Sequence, residues 1–176
     1  QEENLFFEPS SGTRAVLPIF DGLKGGSINR ISDPVFLTIN KLGIKKIPVR
    51  TDVFVDNVRP DYLNALLTSV AQLKGTVYPG EKGNSIIFGH SALYYLYSPK
   101  NFQTIFTRLD ELKFGDLIII EMGPRVLKFQ VEKGGLLDDR ATISNLASRK
   151  ARLTLLTCYP PGYKSFTYAV TALLLE

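Results

Sequence analysis

Downstream of residue 34 the chain is a succession of short β-branched and aromatic runs bounded by Gly, Pro or Asp. Val35–Ile39 and Ile44–Val49 flank Lys41-Leu42-Gly43, a pattern that predicts two strands joined by a tight turn. Further strands are predicted at Ser85–Gly89, Leu117–Met122, Val126–Glu132, Leu153–Cys158 and Phe166–Leu175. Two segments carry helical spacing instead. Within Asp61–Leu73, residues Leu63, Leu66, Leu67, Val70 and Leu73 recur along one helical face, with Pro60 at the opening and Gly75 past the end. Asn101–Leu109 repeats the pattern with Phe102, Ile105, Phe106 and Leu109. About seven or eight strands with two or three short helices cannot alternate as βαβ units throughout. The pattern therefore predicts a mainly β fold, a mostly antiparallel closed barrel with helical decoration.

Residues 1–34 break this regularity with Pro9, Ser10, Ser11, Gly12, Gly22, Gly25 and Gly26, and are expected to form an irregular N-terminal extension to a domain at 35–176. With 176 residues, 44% of them apolar, the chain can bury a core without disulfide or metal staples. The net charge of +4 is too small to point to nucleic acid, and Lys45-Lys46 and Arg149-Lys150 suit a solvated face. One cysteine excludes an internal disulfide, and together with one histidine it excludes a Cys/His zinc site. No metal and no cofactor is expected. Apolar runs such as Leu117–Ile120 and Leu173–Leu175 fall far short of the ~18 residues a spanning helix needs, so any membrane anchor belongs upstream of Gln1.

Two residues stand out chemically. His90 ends the run Ser85-Ile86-Ile87-Phe88-Gly89, and Cys158 ends the run Leu153-Thr154-Leu155-Leu156-Thr157. A strand end fixes the backbone while the adjoining loop leaves the side chain open, which suits catalytic groups. A thiol needs a nearby imidazole or cation to ionise near neutral pH. Taken singly, a cysteine on a strand is more often a buried small hydrophobe, and a lone histidine more often structural or simply exposed. Other motifs carry less. Gly75–Glu81 opens like a phosphate loop, but Glu81 stands where the lysine is required. Asp138-Asp139 reads as a solvated loop, and there is no Gly-x-Ser-x-Gly nucleophile elbow.

Five pieces in order over residues 35–176 resemble the sortases, bacterial cysteine transpeptidases of the cell surface. Leu37-Thr38-Ile39-Asn40-Lys41-Leu42-Gly43-Ile44 is similar to the family's opening strand. Tyr78-Pro79-Gly80-Glu81-Lys82-Gly83-Asn84 leading into Gly89-His90-Ser91 resembles the loop and strand that carry its histidine. Phe106–Asp116 resembles the segment before the next strand. Thr154-Leu155-Leu156-Thr157-Cys158 matches the Thr-Leu-x-Thr-Cys signature of the nucleophile, and Tyr159-Pro160-Pro161-Gly162 follows it as in several subgroups. The resemblance implies an eight-stranded β-barrel on the extracytoplasmic face of a bacterial membrane, anchored from outside this sequence. Cys158 would attack a threonine carbonyl in a Leu-Pro-x-Thr-Gly-like sorting motif of a surface protein. His90 would protonate the leaving amine, and an amine acceptor (a cell-wall precursor or a pilin lysine) would resolve the acyl-enzyme.

One position departs from the pattern. The family's usual arginine, nine residues beyond the cysteine, is Thr167 here, and no arginine follows Gly162. Lys164, Arg125 and Arg140 are candidate stand-ins, Lys164 as a point charge without the bidentate fork. The alternative is a catalytically silent binding module. Thr157 either orients substrate or fills strand space. Leu136, Leu137 and Ile143, in the loop Lys133–Arg149, either contact an apolar motif residue or pack in the core. Asp33-Pro34-Val35-Phe36 resembles the family's Asp-Pro-aromatic lid only loosely and fits a turn into the first strand.

Overall fold

Burial alternates residue by residue along Val35–Ile39, as it must in a strand with one face turned to a core. In the computed structural model, which describes residues 33–53, 61–137 and 149–175, this segment is strand β1. The other strands are β2 (Ile44–Val53), β3 (Val70–Leu73), β4 (Gly83–Phe88), β5 (Leu117–Met122), β6 (Arg125–Leu136), β7 (Ala151–Tyr159) and β8 (Phe166–Leu174). They close into a barrel in the order β1-β2-β3-β4-β7-β8-β6-β5. The pairs β2/β3 and β4/β7 are parallel and the rest antiparallel, so the mostly antiparallel closed barrel expected from the run pattern is the observed one. The expected turn between β1 and β2 is a 3-10 turn at Asn40–Leu42 closed by Gly43, whose φ of 70° suits glycine.

The helix expected over Asp61–Leu73 is shorter. Helix α1 covers Asp61–Thr68, and Val70–Leu73 is β3, parallel to β2 and antiparallel to β4. The Ser69 hydroxyl donates to the Ala65 carbonyl at 2.6 Å, taking up a carbonyl at the helix end. All four residues of β3 are buried, and an insertion between two strands covers them on both sides as a helical turn would not. The helix is also rotated from the expected stripe: Leu63 and Leu67 are exposed while Ala65 and Leu66 are buried.

Asn101–Leu109 is a chain of turns, not a helix. Its amides bond three residues back (Thr104 to Asn101, Thr107 to Thr104, Leu109 to Phe106). Thr104 and Asn101 side chains compete for local backbone groups, and the Phe106 amide leaves the segment altogether to donate to the His90 carbonyl. The apolar spacing still has its use: Ile105, Phe106 and Leu109 are buried in the main core.

Two cores share the sheet. Alternate residues of the central strands point opposite ways, so Ile87, Leu153, Leu155 and Val170 join the large core with Phe106 and Phe129. Ile86, Phe88, Leu156 and Ala169 join a smaller one with Ala65 and Leu66 of α1. The large core fills the barrel, and the small one lies on its outer wall. Of the expected N-terminal extension, only Asp33 and Pro34 are among the described residues.

Candidate active site

His90 and Cys158 are brought together by the parallel pairing of β4 with β7, in which Phe88 stands beside Leu156. His90 comes two residues past the end of β4, and Cys158 two residues further along β7. Side chains alternate along β7, so Cys158 follows Leu156 onto the outer wall, at the edge of the smaller core, and the Lys164 ammonium acts on both Cys158 and His90. Each is half-buried. Cys158 is the free thiol of the chain.

The His90 backbone is held from two sides. Its carbonyl accepts the Phe106 amide at 2.9 Å, and the amide of the preceding Gly89 donates to the Leu156 carbonyl at 3.1 Å. Gly89 has to be glycine: a Cβ there would stand 2.8 Å from the Phe106 ring. Beyond His90, the Ala92 amide donates to the Thr107 hydroxyl at 2.9 Å. The turn segment that failed to become a helix thus forms the seat of the histidine.

Cys158 and Thr167 are direct cross-strand partners, so a buried Thr167 side chain occupies the wall next to the thiol. The loop between β7 and β8 turns through Gly162 at a φ of +86°, where a Cβ would also press on Leu93, 2.7 Å away. This loop carries the exposed Lys164. Burial holds the His90 imidazole below its ordinary value, and the Lys164 ammonium adds to that shift. Burial pushes the Cys158 thiol up, while the same ammonium pulls against it. Among the described residues one cation therefore bears on both groups, and burial favours the uncharged imidazole and the uncharged thiol.

The remaining candidates separate. The Thr157 hydroxyl is buried and donates to the Gly89 carbonyl at 2.9 Å, so it is committed to the fold, not held out to a substrate. The Leu137 amide donates to the Thr167 carbonyl at 2.9 Å, and its side chain packs on the smaller core, which puts it beside the site. Leu136 lies not in the expected loop but at the end of β6, which pairs with β8 past Glu132 as far as Leu136, and it is exposed there opposite Tyr168. Arg125 reaches toward Gly80, in the loop preceding β4, and so sits at the opposite end of that strand from His90. Ile143, Arg140 and Asp138-Asp139 lie outside the described residues. A surface cleft bounded by Phe36, Lys46, Glu121 and Val126 belongs to β1, β2, β5 and β6, away from this site. Among the described residues no group of three His, Cys, Asp or Glu side chains is placed to hold a metal ion. No helix among them is long and apolar enough to cross a membrane.

The profile of the sortase domain family matches residues 37–174, nearly the whole described barrel. The chain is a member of the sortase family. A sortase D5 transpeptidase from Clostridium perfringens shares its fold with a TM-score of 0.63 at 21% identity, over 82% of this chain and 79% of that one. Sortase C from Clostridium perfringens SM101 gives 0.62 at 25% identity, over 82% and 71%. Sortase C1 of Streptococcus agalactiae gives 0.66 at 19% identity, over 90% and 79%. No curated protein matches the sequence.

Sequence reasoning passed over one polar group here. The Ser91 hydroxyl donates to the Cys158 carbonyl at 2.7 Å. Its only signal in the sequence was its place next to the histidine.

Proposed function

We propose that this sortase is a cysteine transpeptidase that cleaves a Leu-Pro-x-Thr-Gly-like sorting motif and passes the acyl group to an amine. The observation that supports the reading is the parallel register of β4 and β7, which pairs Phe88 with Leu156 and so carries the segments bearing the chain's one imidazole and one thiol past the same end of the pairing. The thiol proton passes to His90 as the Cys158 sulfur adds to the threonine carbonyl carbon. The resulting imidazolium gives that proton to the departing amine, leaving a thioester. An incoming amine then attacks the thioester, His90 takes its proton, and the thiol is released. Lys164 supplies the positive charge for the oxyanion in place of the arginine that Thr167 displaces. Leu137, beside Thr167, contacts an apolar residue of the motif. The substrates are surface proteins bearing the motif, met at the extracytoplasmic face of a bacterial membrane, and the acceptor is a cell-wall precursor or a pilin lysine.

Incubation with a panel of Leu-Pro-x-Thr-Gly peptides and a glycine- or lysine-terminated acceptor tests this. Mass spectrometry should show the ligated product and a thioester on Cys158, both absent from Cys158→Ala. A second reading is favoured by the buried threonine opposite the thiol: a module that holds the motif without cutting it. Peptide binding with no thioester and no product would select that reading.

A further inference from the structure

The pairing of β4 with β7 changes character where the candidate catalytic residues begin. Its last backbone rung is the Gly89 amide donating to the Leu156 carbonyl at 3.1 Å. In a parallel ladder the next two acceptors are the carbonyls of Gly89 and Cys158. Both receive hydroxyls: Thr157 donates to the Gly89 carbonyl at 2.9 Å, and Ser91 donates to the Cys158 carbonyl at 2.7 Å. The two bonds are reciprocal. The residue before the cysteine reaches to the residue before the histidine, and the residue after the histidine reaches back to the cysteine itself. A side-chain oxygen stands further from its own backbone than an amide nitrogen does. Strands bridged in this way part, while remaining tied.

We propose that Ser91 is a positioning residue whose hydroxyl, together with that of Thr157, fixes the gap between His90 and Cys158 beyond the end of the backbone ladder. This role rests on the catalytic reading given above. A substrate carbonyl has to lie between imidazole and sulfur, so a full backbone ladder would hold the two segments too close, and no tie at all would leave their separation loose. Three sides then position the histidine segment: Phe106 on the His90 carbonyl, Thr107 on the Ala92 amide, and Ser91 on the nucleophile's own carbonyl.

Iodoacetamide alkylation of Cys158 in the folded protein decides the matter without any sorting peptide. It is measured as a function of pH in the parent, His90→Ala, Ser91→Val and the double variant, with Ser91→Thr as the hydroxyl-bearing isostere of valine. Removing the hydroxyl should change the rate several-fold, and the effects of Ser91→Val and His90→Ala should fail to multiply, because Ser91 acts on the His90–Cys158 pair. Ser91→Thr should recover most of the loss. In peptide cleavage, Ser91→Val should lower kcat about tenfold with KM moved less than about twofold. Ser91→Ala, which adds no bulk, repeats the comparison should valine crowd the loop. Equal behaviour of Ser91→Val and Ser91→Thr, or independent effects of Ser91 and His90 on alkylation, would overturn the proposal. Full peptide cleavage by Cys158→Ala would instead overturn the catalytic reading, and the alkylation cycle would still decide the role of Ser91.

Discussion

Cys158 and Thr167 face each other directly across β7 and β8, and their side chains share the outer wall of the barrel. Directly opposed Cβ atoms in an antiparallel pair stand about 4.5–5.5 Å apart. A long side chain at 167 therefore passes the thiol on its way to solvent. Arginine there would bring a forked cation to the carbonyl oxygen of a substrate bound to Cys158.

Thr167→Arg should accordingly speed acyl transfer. A preorganised donor at a developing oxyanion is worth roughly 10²–10³ in kcat. On the charge proposed for Lys164, the gain belongs at the low end, about 10²-fold or less. Single-turnover formation of the thioester is the measurement. No gain, or a fall in rate, would mean that an arginine at 167 does not reach the oxyanion or displaces the group that already serves it.

Lys164→Gln removes the one cation among the described residues that acts on both groups, and the sign of the result follows. The ammonium lowers the pKa of both the imidazole and the thiol. Without it both rise, so the pH profile of Cys158 alkylation should move to higher pH, and the His90 titration followed by NMR should move the same way. Because Lys164 is exposed, the shift should shrink as salt is raised from about 0.01 to 0.5 M. An unmoved profile at low salt would remove Lys164 from the mechanism.

Alkylation also tests whether Cys158 is a working thiol. The half-buried sulfur should react in the native state, more slowly than in urea because burial keeps it protonated, and His90→Ala should alter the native rate. Labelling only after unfolding, with no dependence on His90, would make Cys158 a packing residue within a sortase fold.

Gly89→Ala places a methyl group 2.8 Å from the Phe106 ring. Such overpacking costs about 1–3 kcal/mol, or roughly 2–10 °C in melting temperature for a domain of this size. Peptide cleavage should fall by more than the melting temperature explains, since the strain falls on the segment that carries His90. Calorimetry beside kinetics separates the two effects.

Much of the fold was legible in the residues, for a physical reason. Strands such as Val35–Ile39 and Leu117–Met122 are bounded by residues that cannot continue them, so their limits are local properties. Val70–Leu73 was not legible, because an apolar run of four satisfies a helix face or a buried strand equally well, and only pairing with β2 and β4 decides between them. Asn101–Leu109 has helical apolar spacing, yet its hydroxyls and the distant His90 carbonyl claim the bonds a helix would need. The same division runs through the site. His90 and Cys158 stood out as the single members of their types at strand ends. The work of Ser91 and Thr157 was invisible, since a hydroxyl shows its partner only once the chain has folded. Lys164 was one of three candidate cations, and its position in the β7–β8 loop sets it apart from Arg125.

The parallel pairing of β4 with β7 also has a consequence in time. It joins residues 67 positions apart, a Ser91 hydroxyl to a Cys158 carbonyl, and such non-local contacts form late because the chain between them must first be ordered. Until that pairing closes, the thiol has no imidazole beside it and no cation in place. A chain still emerging or still folding carries its cysteine as an ordinary, unassisted thiol. The grouping of thiol, imidazole and cation on which the proposed chemistry depends therefore arrives only with the closed barrel, and the same closure shields a thiol that is open to alkylation in the unfolded chain.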